Sequence, residues 1–596
     1  MNEMGNIRFG ALTILRLQYL ENHIHRFTHA WMTKNVYTKY WYWRIRNERR
    51  YFFRRGFSKE IRAFKLHPAF TLLTFIRPDD PLLHFKATFD SVSAQIYPHW
   101  NWVLFCTAAQ AEQIRTLAGG TPAIRLVPTE GPDSVPLPDI LQETPGKFAG
   151  FLAANDTLAP FALLEICRAL NQDADLDLFF SDEDHLDAKN RRTDPWFKQE
   201  YSPYNLRSGC CLNTFLVLRK TLLREILPAE AAGTTFLPTL YDLSLRASER
   251  KPQIRQIPAI LYHSRHQRTL SGAEDRLFEP DAQDAQALQD HLNRLQIPAA
   301  VLPNNYPDSF RVRYTIQAQP LVSILIPTKD QTAGLQRCVN AILEKTTYPN
   351  YEILIADDNS QLPETQAYFD ELKADPSFRG DVVRWDKPSN TAWIYNVTAH
   401  HAKGDYLVFL TDSMEVRSPD WIDELLGPAQ QPDVGAVGGK LFTPNGKLRH
   451  AGIAWEQLRR LVFFNPAEGM DGELPGYYGF ARRTRSVRML SGGCIMAERG
   501  RFEQVGGFDG NFSFAFYDAD LCLKFLSQGL LNIFTPYAQL IQHGPLPCRK
   551  KENEMQIKEA ARNYRVLLKK WRQVFEQTDP SISKHLRFRH FFEEAI

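Results

Sequence analysis

Two adjacent carboxylates, Asp357 and Asp358, stand at the end of a short apolar run, Tyr351–Ala356, and lead into Asn359 and Ser360. A carboxylate in that place accepts hydrogen bonds from a ribose hydroxyl or from a nucleobase N–H. Pro327 and Thr328 close a second apolar run, Val322–Ile326. Both runs are short, rich in Ile and Leu, and bounded by turn residues, which predicts buried strands. Between them Leu335–Leu343 carries apolar residues at helical spacing. The stretch therefore predicts a β-α-β unit with polar residues at the carboxyl ends of both strands, where open α/β sheets bind ligands. The plainer reading of Asp357–Ser360 is a strand-end turn capped by Asp and Asn side chains. Neither GxGxxG nor a Gly-Lys-Ser/Thr loop occurs in the stretch, so neither a dinucleotide site nor a P-loop is supported.

The 596-residue chain is too long for one ordinary core, so two or more domains are expected. The formal net charge of +3 gives no global signal for nucleic acid or another polyanion. No run of about 18 apolar residues is present, so no transmembrane helix is expected, and the N-terminus lacks a secretory-type apolar core. The eight cysteines are scattered, with no CxxC and no zinc spacing. They read as the reduced thiols of a cytoplasmic protein.

Further polar punctuation continues downstream: SNTAWIYN (389–396), GDYLVFLTDSMEV (404–416), PDVGAVGGKLF (432–442), HAGI (450–453), SGGCIM (491–496), GGFDGNFSFAFYDADLCLKFLSQG (506–529) and TPYAQLIQHG (535–544). In this order, and together with Pro320–Ser360, these stretches resemble a family 2 glycosyltransferase domain. They are similar to the bacterial enzymes of O-antigen and other surface polysaccharides. The resemblance implies an α/β chain of two GT-A-like domains with mostly parallel sheets, plus helical N- and C-terminal extensions. It implies nucleotide-sugar contacts at Pro327, Thr328, Asp357, Asp358 and Asp412. It implies that Asp518, in the acidic motif opening a helix, is the general base for the acceptor hydroxyl, with inversion in a single displacement. Asp520 then caps or braces that helix. A divalent cation, Mg or Mn, is implied with Asp412 and His543 as its ligands. This sequence departs from the family pattern there, with Ser413 at the usual acidic place and Gln542 at the usual histidine.

An internal repeat of roughly 230 to 250 residues is also legible, a domain-sized period. YPHWNWVLFCTAA (97–109), FAGFLAANDTLAP (148–160), DLFFSDEDHLD (177–187), PWFK (195–198), YDLSLR (241–246) and LYHSR (261–265) match the first half of tandem family members. At the base pocket this half has Cys106-Thr107-Ala108-Ala109, at the metal stretch Ala153-Ala154-Asn155-Asp156, and at the general base Leu240. Apolar or neutral residues are thus read at all three positions, and the expectation is a degenerate, non-catalytic copy.

The expected organisation is a basic, aromatic helical extension over 1–65, the degenerate domain over 66–300, a linker over 301–320, the catalytic domain over 321–548 and a helical tail over 549–596. Tyr40–Trp43 and Tyr51–Phe53, interleaved with arginines, suit an in-plane membrane helix through residues 1–60 or a helix docked on the protein, with nucleic-acid binding as a third option. The implied partners are a UDP-, GDP- or dTDP-sugar and a glycan or lipid-linked acceptor, with no nucleic acid. The implied place is the cytoplasm, peripheral at the inner face of the membrane. A rival reading from another class is a decayed scaffold or glycan-binding partner of an active enzyme; Ser413 and Gln542 favour it, Asp358 and Asp518 oppose it.

Overall fold

The structure, a computed structural model, describes residues 36–52, 56–78, 82–118, 123–129, 135, 137–209, 212, 214–227, 238–265, 281–457, 461–544 and 554–586. Residues 1–35 of the N-terminal extension, and Cys210, Cys211 and Cys548, lie outside them. The five described cysteines are free and buried.

The β-α-β unit forms as its pattern demands. Val322–Thr328 and Tyr351–Asp357 pair in parallel, with Thr328 beside Asp357. Val322–Thr328 is buried on both faces, which explains its continuous apolar run. The crossover helix, Thr332–Lys345, buries Leu335, Cys338, Val339 and Ile342. The sheet runs Gly380–Arg384, Tyr351–Asp357, Val322–Thr328, Tyr406–Leu410, Cys494–Glu498, Val434–Phe442, Leu531–Gln542, Met414–Val416. Its first four strands are parallel. Cys494–Glu498 is antiparallel to both neighbours.

The first half repeats this plan. Its sheet runs Ile124–Pro128, Trp100–Cys106, Phe70–Phe75, Phe148–Phe151, Val217–Arg219, Leu178–Leu186, Ile254–Ser264, Thr157–Leu158. Each strand has its counterpart at the same place in the other sheet. The first four are again parallel and Val217–Arg219 is again antiparallel to its neighbours. The sequence repeat is thus a repeat of fold. Between the halves the chain folds back on itself as a two-stranded antiparallel ribbon of Ala299–Pro303 and Phe310–Tyr314, where Arg311–Tyr314 alternates polar and apolar residues.

The halves are pinned together by buried polar groups. The Tyr477 hydroxyl donates to the Pro195 carbonyl at 2.6 Å and accepts from Phe197 N–H at 2.9 Å. Tyr478 stacks on Trp196, ring centroids 4.8 Å apart, and its hydroxyl donates to the Asp194 carbonyl. Tyr204 donates to Asp433 at 2.9 Å. The tail adds a strap. Helix Glu554–Lys570 lies on the second half, and the chain then runs to the first, where Glu200 N–H donates to Pro580 and His585 bonds the Pro258 carbonyl.

Candidate active site

The two strand-end aspartates behave differently. Asp357 is consumed by structure: Oδ1 accepts from Ser360 N–H at 2.8 Å, and Oδ2 pairs with Arg384 at 2.8 Å. Asp358 is also buried, at 6% exposure. Its Oδ2 accepts from the Ser389 hydroxyl at 2.6 Å and faces Lys329 at 3.5 Å. Its Oδ1 has no hydrogen-bond partner among the described residues. A buried carboxylate oxygen without a donor costs free energy. The atom stands at the carboxyl edge of the sheet, where open α/β sheets bind ligands. Ser389, Lys329 and Arg384 escaped the sequence reading of this pocket, since each reaches the pair from another loop or strand.

From Asp358 the strand ends run as a hydrogen-bonded line towards Asp518. Thr328 Oγ1 donates to Asp412 Oδ2 at 2.9 Å. Thr411 N–H donates to Gly493 O, and Gly492 N–H donates to Asp518 Oδ2 at 2.7 Å. Asp518 Oδ1 accepts from Ala519 N–H at 2.8 Å. Burial raises the pKa of Asp518 above the ordinary carboxylate value, and the Gly492 and Ala519 amides partly offset that. A carboxylate so poised is a better proton acceptor than one in water. Glycine at 492 lets the loop approach closely: a Cβ there would stand 2.8 Å from the Tyr517 hydroxyl and 3.1 Å from Asp518 Oδ2, so either side chain would have to shift.

Asp518 sits on helix Tyr517–Ser527, whose N-cap, Phe516, is held at φ 66° with no side-chain cap. The preceding loop is set from the tail. Asn563, fully buried, accepts from Phe514 N–H and Ala515 N–H through Oδ1, and its Nδ2 donates to Asn511 O. Asp520 braces as expected but does not cap: it accepts from Trp571 Nε1 and pairs with Lys570, each at 2.8 Å. Asn563 carries no sequence signal, because its partners are some fifty residues away along the chain.

His450 holds the other side of the Ser491–Gly493 loop. Its Nε2 accepts from Gly452 N–H at 3.2 Å and Ser491 N–H at 3.3 Å, so Nδ1 carries the proton towards Asn465. Burial pushes its pKa from 6.5 down to about 4, opposed by the Asn465 bond and aided by Arg485. A depressed folded-state pKa makes a contribution that is whole above pH 6.5 and lost as pH falls towards 4. That difference corresponds to about 3 kcal/mol. The expected result is a stability loss of this order between those pH values, flattened in His450→Gln. Parallel stability–pH curves for the two proteins would refute it.

The residues implied as metal ligands are brought to neighbouring strand ends. Met414 pairs with Gln542, and His543 N–H donates to Ser413 O. Their side chains do not assemble a set: His543 Nε2 lies 2.7 Å from Glu415, and Asp412 takes the Thr328 hydroxyl. Among the described residues no group of three His, Cys, Asp or Glu could hold a metal ion. Among the described residues these donors do not by themselves make the oxygen-rich set a divalent cation prefers.

The first half needs a correction. The strand pair Thr157–Leu158 with Ile254–Ser264 sets Thr157 opposite His263, as Met414 is set opposite Gln542. Asp156 therefore stands where the second half has Ser413, and His263 where it has Gln542. The metal position of this half is not neutral, contrary to the sequence reading. Both groups are nevertheless engaged. Asp156 accepts from the Tyr262 hydroxyl at 2.6 Å and Arg265 N–H at 2.7 Å, and His263 Nδ1 bonds Asp184 at 2.6 Å. At the base-pocket place Cys106 is buried and uncharged, its pKa raised by burial.

Residues 323–506 match the family described as "Glycosyl transferase family 2". These residues are a family 2 glycosyltransferase domain. Over 469 residues the chain is 35% identical to "O-antigen biosynthesis protein RfbC" of Myxococcus xanthus, covering 76% of this chain and 36% of that protein. Over 505 residues it is 29% identical to "Uncharacterized protein y4gI" of Sinorhizobium fredii, covering 82% of this chain and 54% of that one. The chain thus spans about a third and about a half of the length of these two relatives. A solved structure of GalNAc-T7 with UDP, GalNAc and Mn2+ aligns at 16% identity and a TM-score of 0.35, over 43% of this chain and 50% of that one. The family 2 match ends at Gly506, so Asp518 and the tail that holds its loop lie beyond it.

Proposed function

We propose that the protein is an inverting glycosyltransferase, moving a sugar from a nucleoside diphosphate sugar to a surface polysaccharide or lipid-linked glycan, with the chemistry in the second half. Asp358 orients the nucleotide, Pro327 and Thr328 line the same pocket, and Asp412 lies along the line towards Asp518. Asp518 takes the acceptor's proton as its oxygen attacks the anomeric carbon, and the diphosphate leaves from the opposite face. The observation that carries this is the buried, unpartnered Oδ1 of Asp358 at the carboxyl edge of the sheet. It calls for a donor with a ring N–H, as in uracil, thymine or guanine. The engaged Asp156 and His263 support a non-catalytic first half. A lipid-linked acceptor would place the protein at the cytoplasmic face of a membrane.

The test is thermal unfolding of the full chain with UDP, dTDP, GDP, ADP or CDP in turn, with and without Mn2+. A ligand at about a hundred times its Kd stabilises by about 2.7 kcal/mol. A shift with at least one of the first three, and none with ADP or CDP, is expected. No shift with any nucleotide would favour the decayed scaffold.

A further inference from the structure

The sequence left three readings of the arginine- and aromatic-rich segment, a membrane helix, a helix docked on the protein or a nucleic-acid surface. The structure shows Val36–Phe52 docked by one face only. Tyr40, Glu48 and Tyr51 are buried, at 2%, 6% and 8% exposure. The Tyr40 hydroxyl donates to Asp184, and Arg192 reaches Glu48 at 2.7 Å. Trp43 packs on Phe197, ring centroids 4.8 Å apart, and Tyr51 stacks on Phe161 at 3.7 Å. At 100° per residue these residues share one arc.

The opposite arc carries Trp41, Tyr42, Ile45, Arg46 and Arg49. Trp41 is 58% exposed, Tyr42 51% and Ile45 37%. Single exposed apolar groups are ordinary, but three contiguous ones beside cations are not. The helix has one acidic residue, Glu48, and it faces inward. Arg44 leans on Glu48 and Arg50 on Glu165, whereas Arg46 and Arg49 form no ion pair among the described residues. The outward arc therefore joins interfacial aromatics to uncompensated positive charge with no carboxylate.

We propose that this face, Trp41, Tyr42, Ile45, Arg46 and Arg49, docks in the plane of an anionic bilayer surface. Trp and Tyr rings settle at the headgroup level, and the guanidinium groups meet phosphate or carboxylate headgroups. The docked inner face fixes how the rest of the protein is presented to the membrane. The inference leans on a lipid-linked acceptor only for its purpose; its evidence is the helix itself.

The test is co-sedimentation of the full chain with phosphatidylcholine vesicles, with and without phosphatidylglycerol. The comparison is with two variants, Trp41→Ser/Tyr42→Ser/Ile45→Ser and Arg46→Glu/Arg49→Glu. Among the described residues these five side chains are exposed and make no ion pair, Ile45 being the most covered of the three apolar ones at 37% exposure. Both variants should therefore stay within a few degrees of the parent unfolding temperature and keep any nucleotide-induced shift. That shift reads the glycosyltransferase proposal separately. Binding to the anionic vesicles about tenfold or more above the neutral ones, weakened by salt, is expected. Both variants should lose most of it, and Trp fluorescence should shift to the blue only in proteins that bind. Equal sedimentation with both vesicle types, none with either, or full binding by the two variants overturns the proposal. Binding to duplex DNA in place of vesicles overturns it in favour of a nucleic-acid surface.

Discussion

Asp518→Asn is expected to lower sugar transfer by about 10²- to 10⁴-fold while donor affinity stays nearly unchanged, because the amide cannot take the acceptor's proton. The structure adds a secondary cost. Both carboxylate oxygens accept backbone N–H groups, from Gly492 and Ala519, and an amide oxygen can replace only one. That loss is worth about 1 kcal/mol of stability, far short of the expected rate loss, so rate and unfolding temperature measured together separate the two. The matching control is Asp156→Ala in the first half. Its carboxylate is tied to Tyr262 and Arg265, so the variant should lose some stability and keep transfer. Full transfer by Asp518→Asn, or a transfer loss confined to Asp156→Ala, would move the chemistry to the other half.

Asp358→Ala acts on the donor. A charge-assisted hydrogen bond to a base N–H is worth about 1.5–3 kcal/mol, so the nucleoside diphosphate Kd should rise by about tenfold to more than a hundredfold. Asp358→Asn should fall on the same side, since its amide can present N–H where the base also presents one. Asp357→Asn is expected to differ in kind. Asp357 is held by Ser360 and Arg384, so its loss loosens the turn and lowers the unfolding temperature before it lowers affinity. Equal donor affinity in Asp358→Ala and the unaltered protein, by calorimetry, would remove Asp358 from the pocket.

The two variants probe opposite ends of one line of strand termini, and that line explains why an α/β sheet suits the reaction. Thr328, Asp358, Asp412 and the Ser491–Gly493 loop all lie at one edge of the sheet, so the proposed nucleotide contact and the proposed base share that edge. Outside the family 2 match the tail completes this arrangement, through Asn563 on the loop before Asp518 and Trp571 on Asp520. Removing residues beyond about 550 should therefore not be read as trimming an appendage.

What the sequence by itself determined is what local pattern can carry. The β-α-β unit at Pro320–Ser360 was legible because a strand buried on both faces must be a continuous apolar run, and its ends must turn. The repeat was legible because the same strand lengths and turns recur in the same order. What only the tertiary structure decided are matters of register and of partners distant in sequence. A one-residue choice of pairing puts Asp156 where Ser413 stands, which spacing along the chain could not settle. Asp357 and Asp358 look alike in sequence, yet Arg384 neutralises one and a buried, unpaired oxygen marks the other. His543 turns to Glu415, His450 fastens a loop forty residues away, and helix Val36–Phe52 commits only one face to the protein. Each outcome depends on the side chain that folding brings opposite, and a hydrogen bond or ion pair has no counterpart in composition or period.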